Sequence, residues 1–99
     1  MKKVTYSPYG EPVRDCAAEE YARRLVSDVD TIHVSSEIVV HFVRVLIREG
    51  VLDHEQVEFE FIENTQKNII TQKADKNGRL SEWPPGFCDW FDHALERLL

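Results

Sequence analysis

The first half of the chain alternates between strand-like and helix-like patterns of apolar residues. Residues 3–6 alternate polar and apolar positions, which predicts a short strand ending at the Pro- and Gly-containing turn 7–10. Apolar positions then recur at helical spacing, which predicts a first helix over about 16–27. Residues 31–34 favour a second strand, and the almost wholly apolar stretch behind two serines predicts a second helix over about 36–49.

The second half is expected to add a hairpin and a closing helix. Aromatic and aliphatic residues alternate with glutamates over 57–61, which is typical of a strand with one buried face. Residues 68–74 predict a fourth strand, antiparallel to the third, before a turn at 75–78. Apolar residues at helical spacing predict a third helix over 87–98.

This succession of elements predicts one α/β (α+β) domain over residues 1–99. We expect a small mixed four-stranded sheet with three helices, in the chain order β-α-β-α-β-β-α. A chain of 99 residues is the size of one ordinary domain, and its 42% hydrophobic and 30% charged content is that of a globular protein.

Charge and composition exclude several classes of function. The net charge is −6, which disfavours binding to a phosphate backbone, so no nucleic-acid partner is expected. No glycine is followed by lysine and none lies close to another, so both common nucleotide-phosphate loops are absent. The longest apolar stretch, 38–47, is too short to cross a bilayer, and the start of the chain lacks a secretory signal. We therefore expect no membrane association and a cytoplasmic location.

Cysteine and histidine spacing predicts neither a metal site nor a cofactor. Cys16 and Cys88 are far apart in sequence, and neither has a second thiol nearby. The four histidines are scattered over different elements. We expect reduced thiols, no metal, no cofactor and no catalytic residues.

A polar stripe on the second predicted helix is the main candidate surface. Glu37, His41, Arg44 and Arg48 follow one another at steps of four, three and four residues, on a helix that is otherwise apolar. We interpret the stripe as a partner-binding surface. Two other interpretations stay open: a solvated helix edge, or a small-ligand or enzyme site that uses Glu37, His41 and Arg44 as carboxylate, imidazole and cation.

A fixed pattern near the end of the chain carries a resemblance to a known family. It has the form Asp-x-x-Gly-Arg-Leu-x-x-Trp-Pro-x-Gly-Phe-x-Asp and is carried by Asp75, Gly78, Arg79, Leu80, Trp83, Pro84, Gly86, Phe87 and Asp89. Over about residues 34–99, the chain resembles the C-terminal segment of predicted ATPases of the OLD-like AAA/ABC class.

The chain departs from that family at several positions, and these departures limit what the resemblance implies. Ser35 stands where those ATPases carry the histidine of a Thr-His-Ser motif, and the chain has neither a phosphate loop nor an acidic Walker B segment. The resemblance therefore implies a free-standing relative of the ATPase tail without the nucleotide-binding parts. We expect a non-enzymatic accessory protein that docks on an OLD-like ATPase through the polar stripe or Trp83. A homodimer is also open, because a small sheet has edges that can pair.

Overall fold

A computed structural model describes residues 1–62 and 69–81 of the chain. In these ranges it has four strands and two α-helices: β1 (Lys2–Glu11), α1 (Ala18–Ser27), β2 (Thr31–Val34), α2 (Glu37–Arg48), β3 (Val57–Ile62) and β4 (Ile69–Gln72). Single 3-10 turns precede α1 and β3, at Asp15–Ala17 and His54–Gln56.

The four strands form one mixed sheet in the spatial order β2-β1-β3-β4. β1 lies in the middle and is parallel to both β2 and β3, whereas β4 is antiparallel to β3. The chain reaches β2 through α1 and returns across β1 to β3 through α2. Parallel neighbours need such crossover connections, which explains why a helix follows each of the first two strands.

One face of the sheet forms the core together with the two helices. Val4 stands in register with Ile32 on one side and Phe59 on the other, and all three are buried. The rings of Tyr6 and Phe61 lie 6.3 Å apart on the same face. The helices pack against each other, and α2 contacts β1. The strand pattern thus buries alternate residues against the helices.

The opposite face of the sheet is polar. Thr5 is in register with His33 and with Glu60, and Lys3 forms an ion pair with Glu60 at 3.0 Å between Nζ and Oε2. This division of the sheet into an apolar and a polar face matches the alternation seen along β3 in the sequence.

Turn residues set the ends of α2 and the start of β3. Gly50 has a φ of +79° directly after the helix, a conformation that costs glycine little and other residues more. The Asp53 carboxylate accepts a hydrogen bond from the backbone N–H of Glu55 at 2.9 Å and so caps the short turn before β3. These two residues therefore end α2 and lead the chain into β3.

The coarse architecture agrees with the prediction, but the complete element order does not. A mixed α/β arrangement with a four-stranded mixed sheet is confirmed. The described residues contain two helices rather than three and end after β4. The third helix predicted over 87–98 lies outside the described residues. No helix in the described part of the chain is long and apolar enough to span a membrane.

The first strand is longer than the sequence predicted. β1 continues through Pro8 to Glu11, although proline and glycine favour a turn there. The pairing with β2 shows why: Tyr6 and Glu11 both stand opposite Val34, so the intervening residues bulge out of the ladder. Pro8 lies within that bulge, where no ladder hydrogen bond is required of it.

Gly10 is needed where the bulge returns to the sheet. A Cβ built on Gly10 would overlap the backbone of Val34, so the two chains approach closely only because this residue has no side chain. The Ser35 N–H then donates to the Glu11 carbonyl at 3.0 Å and completes the junction between β1 and the start of α2.

Replacing Gly10 by alanine is expected to destabilise the protein by about 2 kcal/mol or more, because the added methyl group meets backbone rather than a movable side chain. Gly50→Ala is the matched control. A Cβ on Gly50 has no atom within 4 Å, so the cost there is that of the left-handed backbone alone, about 1 kcal/mol. Urea unfolding of the two variants measures the difference; equal losses would contradict the close approach at Gly10.

Candidate functional site

The four residues of the predicted stripe occupy very different environments along α2. His41 and Arg44 are buried, with 5% and 7% of their surfaces exposed, whereas Glu37 is half-buried and Arg48 is exposed. A stripe of polar residues on an apolar helix therefore does not form one open surface here. The structure instead places its central pair in the protein interior.

Arg44 binds the backbone of a distant turn. Its Nε donates a hydrogen bond to the carbonyl oxygen of Gly78 at 2.7 Å, and one terminal guanidinium nitrogen lies 2.8 Å from Nδ1 of His41. Hydrogen bonds from a charged donor are stronger than those between neutral groups, and burial protects them from water. Arg44 thus fastens α2 to the segment that follows β4.

The bond to Arg44 determines the protonation of His41. Arginine has only donors, so Nδ1 of His41 must act as the acceptor. An imidazole that accepts at Nδ1 is neutral, with its proton on Nε2. A neutral imidazole beside the guanidinium avoids placing two positive charges together in a buried site.

The turn that Arg44 holds is organised by Asp75. The Asp75 carboxylate accepts hydrogen bonds from the N–H groups of Asn77 and Arg79, at 2.8 and 3.0 Å. The Gly78 N–H donates to the Asp75 carbonyl at 2.9 Å, and Gly78 has a φ of +79°. A Cβ on Gly78 would overlap the carbonyl of Arg44, so this glycine also permits close contact with α2.

The buried contact explains the start of the sequence pattern that carried the resemblance. Asp75 forms the turn, Gly78 provides both the backbone conformation and the close approach, and Leu80 is buried in the core. These positions are accounted for by folding alone. Trp83, the remaining predicted site residue, lies outside the described residues, as do the later positions of the pattern.

Glu37 does not join His41 and Arg44 in an open constellation. It lies in the first turn of α2, where a carboxylate is favoured by the helix dipole, and it accepts a hydrogen bond from the hydroxyl of Tyr6 at 3.5 Å. Within residues 1–62 and 69–81, no group of three or more His, Cys, Asp or Glu side chains converges in a way that could hold a metal.

A second polar cluster lies beside α1. The hydroxyl of Tyr21 donates to the Glu11 carboxylate at 2.8 Å, and the guanidinium of Arg24 lies 5.1 Å from the centre of the Tyr21 ring. Burial, followed by the bond to Glu11, raises the pKa of Tyr21 above its ordinary value. These contacts tie the end of β1 to α1, and the sequence pattern gave no sign of them.

The sequence identified the residues of the polar stripe but not the groups within the protein that they contact. Arg44 and His41 were identified by their spacing on one helix, but their link to Gly78 joins positions 34 residues apart. The sequence signal that could have indicated this link is Gly78 in the Asp75-x-Asn77-Gly78 turn, because a glycine in a turn allows a second backbone to approach closely.

Removing the guanidinium of Arg44 is expected to destabilise the fold by about 2–3 kcal/mol, because the Gly78 carbonyl and Nδ1 of His41 then lose their donor. Arg44→Met keeps the length of the side chain and tests this directly. Arg48→Met, on the exposed end of the same helix, is the control and should change stability by no more than about 0.5 kcal/mol. Urea unfolding that gives the same midpoint for both variants would contradict the assignment.

Part of the chain is similar to a known protein family. A family model described as a protein of unknown function, DUF3696, matches residues 52–98, which is just under half of the chain. No curated protein matches the chain, and no solved structure matches it. The matched region includes β3, β4 and the turn at Gly78, so the chain is similar to DUF3696 proteins over a region that contains the acceptor of the Arg44 hydrogen bond.

Proposed function

We propose that this protein is a non-enzymatic interaction module that docks on an ATPase of the OLD-like AAA/ABC class. The observation that carries the proposal is the hydrogen bond from Arg44 to Gly78, because it fixes the start of the Asp75–Asp89 pattern against a rigid helix. A segment that is held in one position before its partner arrives loses less conformational entropy on binding.

Burial of the central pair favours binding over catalysis. The alternative function, a small-ligand or enzyme site built from Glu37, His41 and Arg44, requires a substrate to reach these groups. His41 and Arg44 are buried, and the hydrogen bonds of Arg44 are made within the protein. A substrate would have to displace the turn at Gly78, so this alternative has less support.

The exposed member of the predicted stripe is the best candidate for a partner surface. Arg48 lies one helical turn beyond Arg44 and is exposed. On a chain with a net charge of −6, this guanidinium is a local basic feature. We therefore propose that the partner presents a carboxylate to Arg48, since arginine pairs well with carboxylates in interfaces.

The match to DUF3696 includes the Asp75–Asp89 pattern but not Arg48, and its description names no activity. The link to an OLD-like ATPase rests on the resemblance of the sequence pattern. A cytoplasmic location belongs to the same proposal.

Replacing Arg48 by alanine is expected to weaken binding to a purified OLD-like ATPase from the same host by about five- to tenfold, through loss of a charge pair at the interface. Arg23→Ala is the matched control. Arg23 is an exposed arginine on α1 that pairs with Glu19 at 3.2 Å, and its loss should change the affinity less than twofold. Interferometry with immobilised ATPase, with and without ATP, measures both variants.

Two results would contradict parts of the proposal separately. Absence of binding by the unmodified protein would overturn the ATPase partner. Equal affinity of the Arg48→Ala and unmodified proteins would remove the basic feature while leaving the partner in place. A purely self-associating role would appear as a concentration-dependent dimer in sedimentation experiments without any binding to the ATPase.

A further inference from the structure

An open groove runs along one side of α1, and charged side chains line much of it. The residues that line it are Ala17, Glu20, Tyr21, Arg23, Arg24 and Asp28. Glu20, Arg24 and Asp28, called here the three groove charges, follow one another at steps of four residues and are all exposed. Negative, positive and negative charges therefore alternate along the groove, in an order that a partner has to match.

The central positive charge of the groove is held by an aromatic ring. The guanidinium of Arg24 lies 5.1 Å from the centre of the Tyr21 ring, and a cation over an aromatic face is attracted to it. The ring is positioned in turn by its hydroxyl, which donates to the Glu11 carboxylate at 2.8 Å. Arg24 thus has a defined position in the free protein, which lowers the conformational entropy that it loses on binding.

Ion pairing within α1 does not use the three groove charges. On the same helix, Arg23 pairs with Glu19 at 3.2 Å, four residues apart. The three groove charges have the same four-residue spacing, yet in the described part of the chain none of them takes part in an ion pair. Their opposite charges are therefore available for ion pairs with another molecule.

We propose that a second copy of this chain docks in the groove, with the two α1 helices antiparallel about a two-fold axis. In this arrangement, Glu20 of each copy lies beside Arg24 of the other, so one surface complements itself. A parallel arrangement would place like charges together. Two copies with a net charge of −6 repel each other overall, so contact requires a face on which opposite charges meet. This inference does not depend on the proposed ATPase partner.

The length of α1 limits the strength of this contact. The helix has 10 residues and is therefore about 15 Å long. Two helices of this length bury less than the roughly 800 Å² per partner of a standard stable interface. We therefore expect a weak and reversible dimer, with a dissociation constant on the order of 100 µM.

Charge reversal tests the antiparallel arrangement. Arg24→Glu and Glu20→Arg each create two pairs of like charges across the two-fold axis, so each should weaken self-association by about tenfold or more. The double variant Glu20→Arg/Arg24→Glu again places opposite charges across the axis, and its dissociation constant should return to within about threefold of the original. Sedimentation equilibrium at low salt, from about 10 µM to about 1 mM protein, measures all of these constants.

Glu19→Arg is the matched control, because it makes the same change of charge one residue away, at an exposed position that does not line the groove. It should change the dissociation constant by less than about twofold. A monomer at every concentration would overturn the proposal. A dimer that the single reversals leave unchanged would also overturn it, because another surface would then be responsible. A double variant that stays monomeric would show that Glu20 and Arg24 do not face each other and would overturn it as well.

Discussion

The carbonyl oxygen of Gly78 accepts a hydrogen bond from the guanidinium of Arg44, which is buried on α2. Among the described residues, the contact between the turn at 75–78 and α2 depends on this bond. A buried arginine is stable only when its donors are satisfied, so the turn and the helix must stay together. The turn is preformed by Asp75, and the absence of a side chain at Gly78 lets the two backbones meet. The polar stripe is therefore primarily a feature of the interior.

This constraint changes where a functional surface can lie. The residues predicted for their chemistry, His41 and Arg44, are buried and hydrogen-bonded within the protein, so the proposed recognition surface lies at the exposed Arg48 instead. Arg48 lies at the end of α2, the helix that the Arg44 hydrogen bond connects to the turn at Gly78.

Local patterns were sufficient for most elements, and long-range contacts decided the rest. The alternation along β3 and the helical spacing of α2 predicted these elements and the hairpin with β4, because each signal is contained in consecutive residues. The extension of β1 through Pro8 was missed, because it depends on pairing with Val34 on another strand. The burial of Arg44 was missed for the same reason, since its acceptor is 34 residues away.

The most direct test of this account is the hydrogen-exchange protection of the Gly78 and Arg79 amides, measured residue by residue in the unmodified protein and in Arg44→Met. Both amides bond to Asp75 within the turn, so their protection reports whether the turn stays formed. If Arg44 anchors the turn, their protection falls in the variant by more than that of the β1 and β3 amides. Unchanged protection at Gly78 and Arg79 would show that the turn is held without Arg44 and would contradict the account.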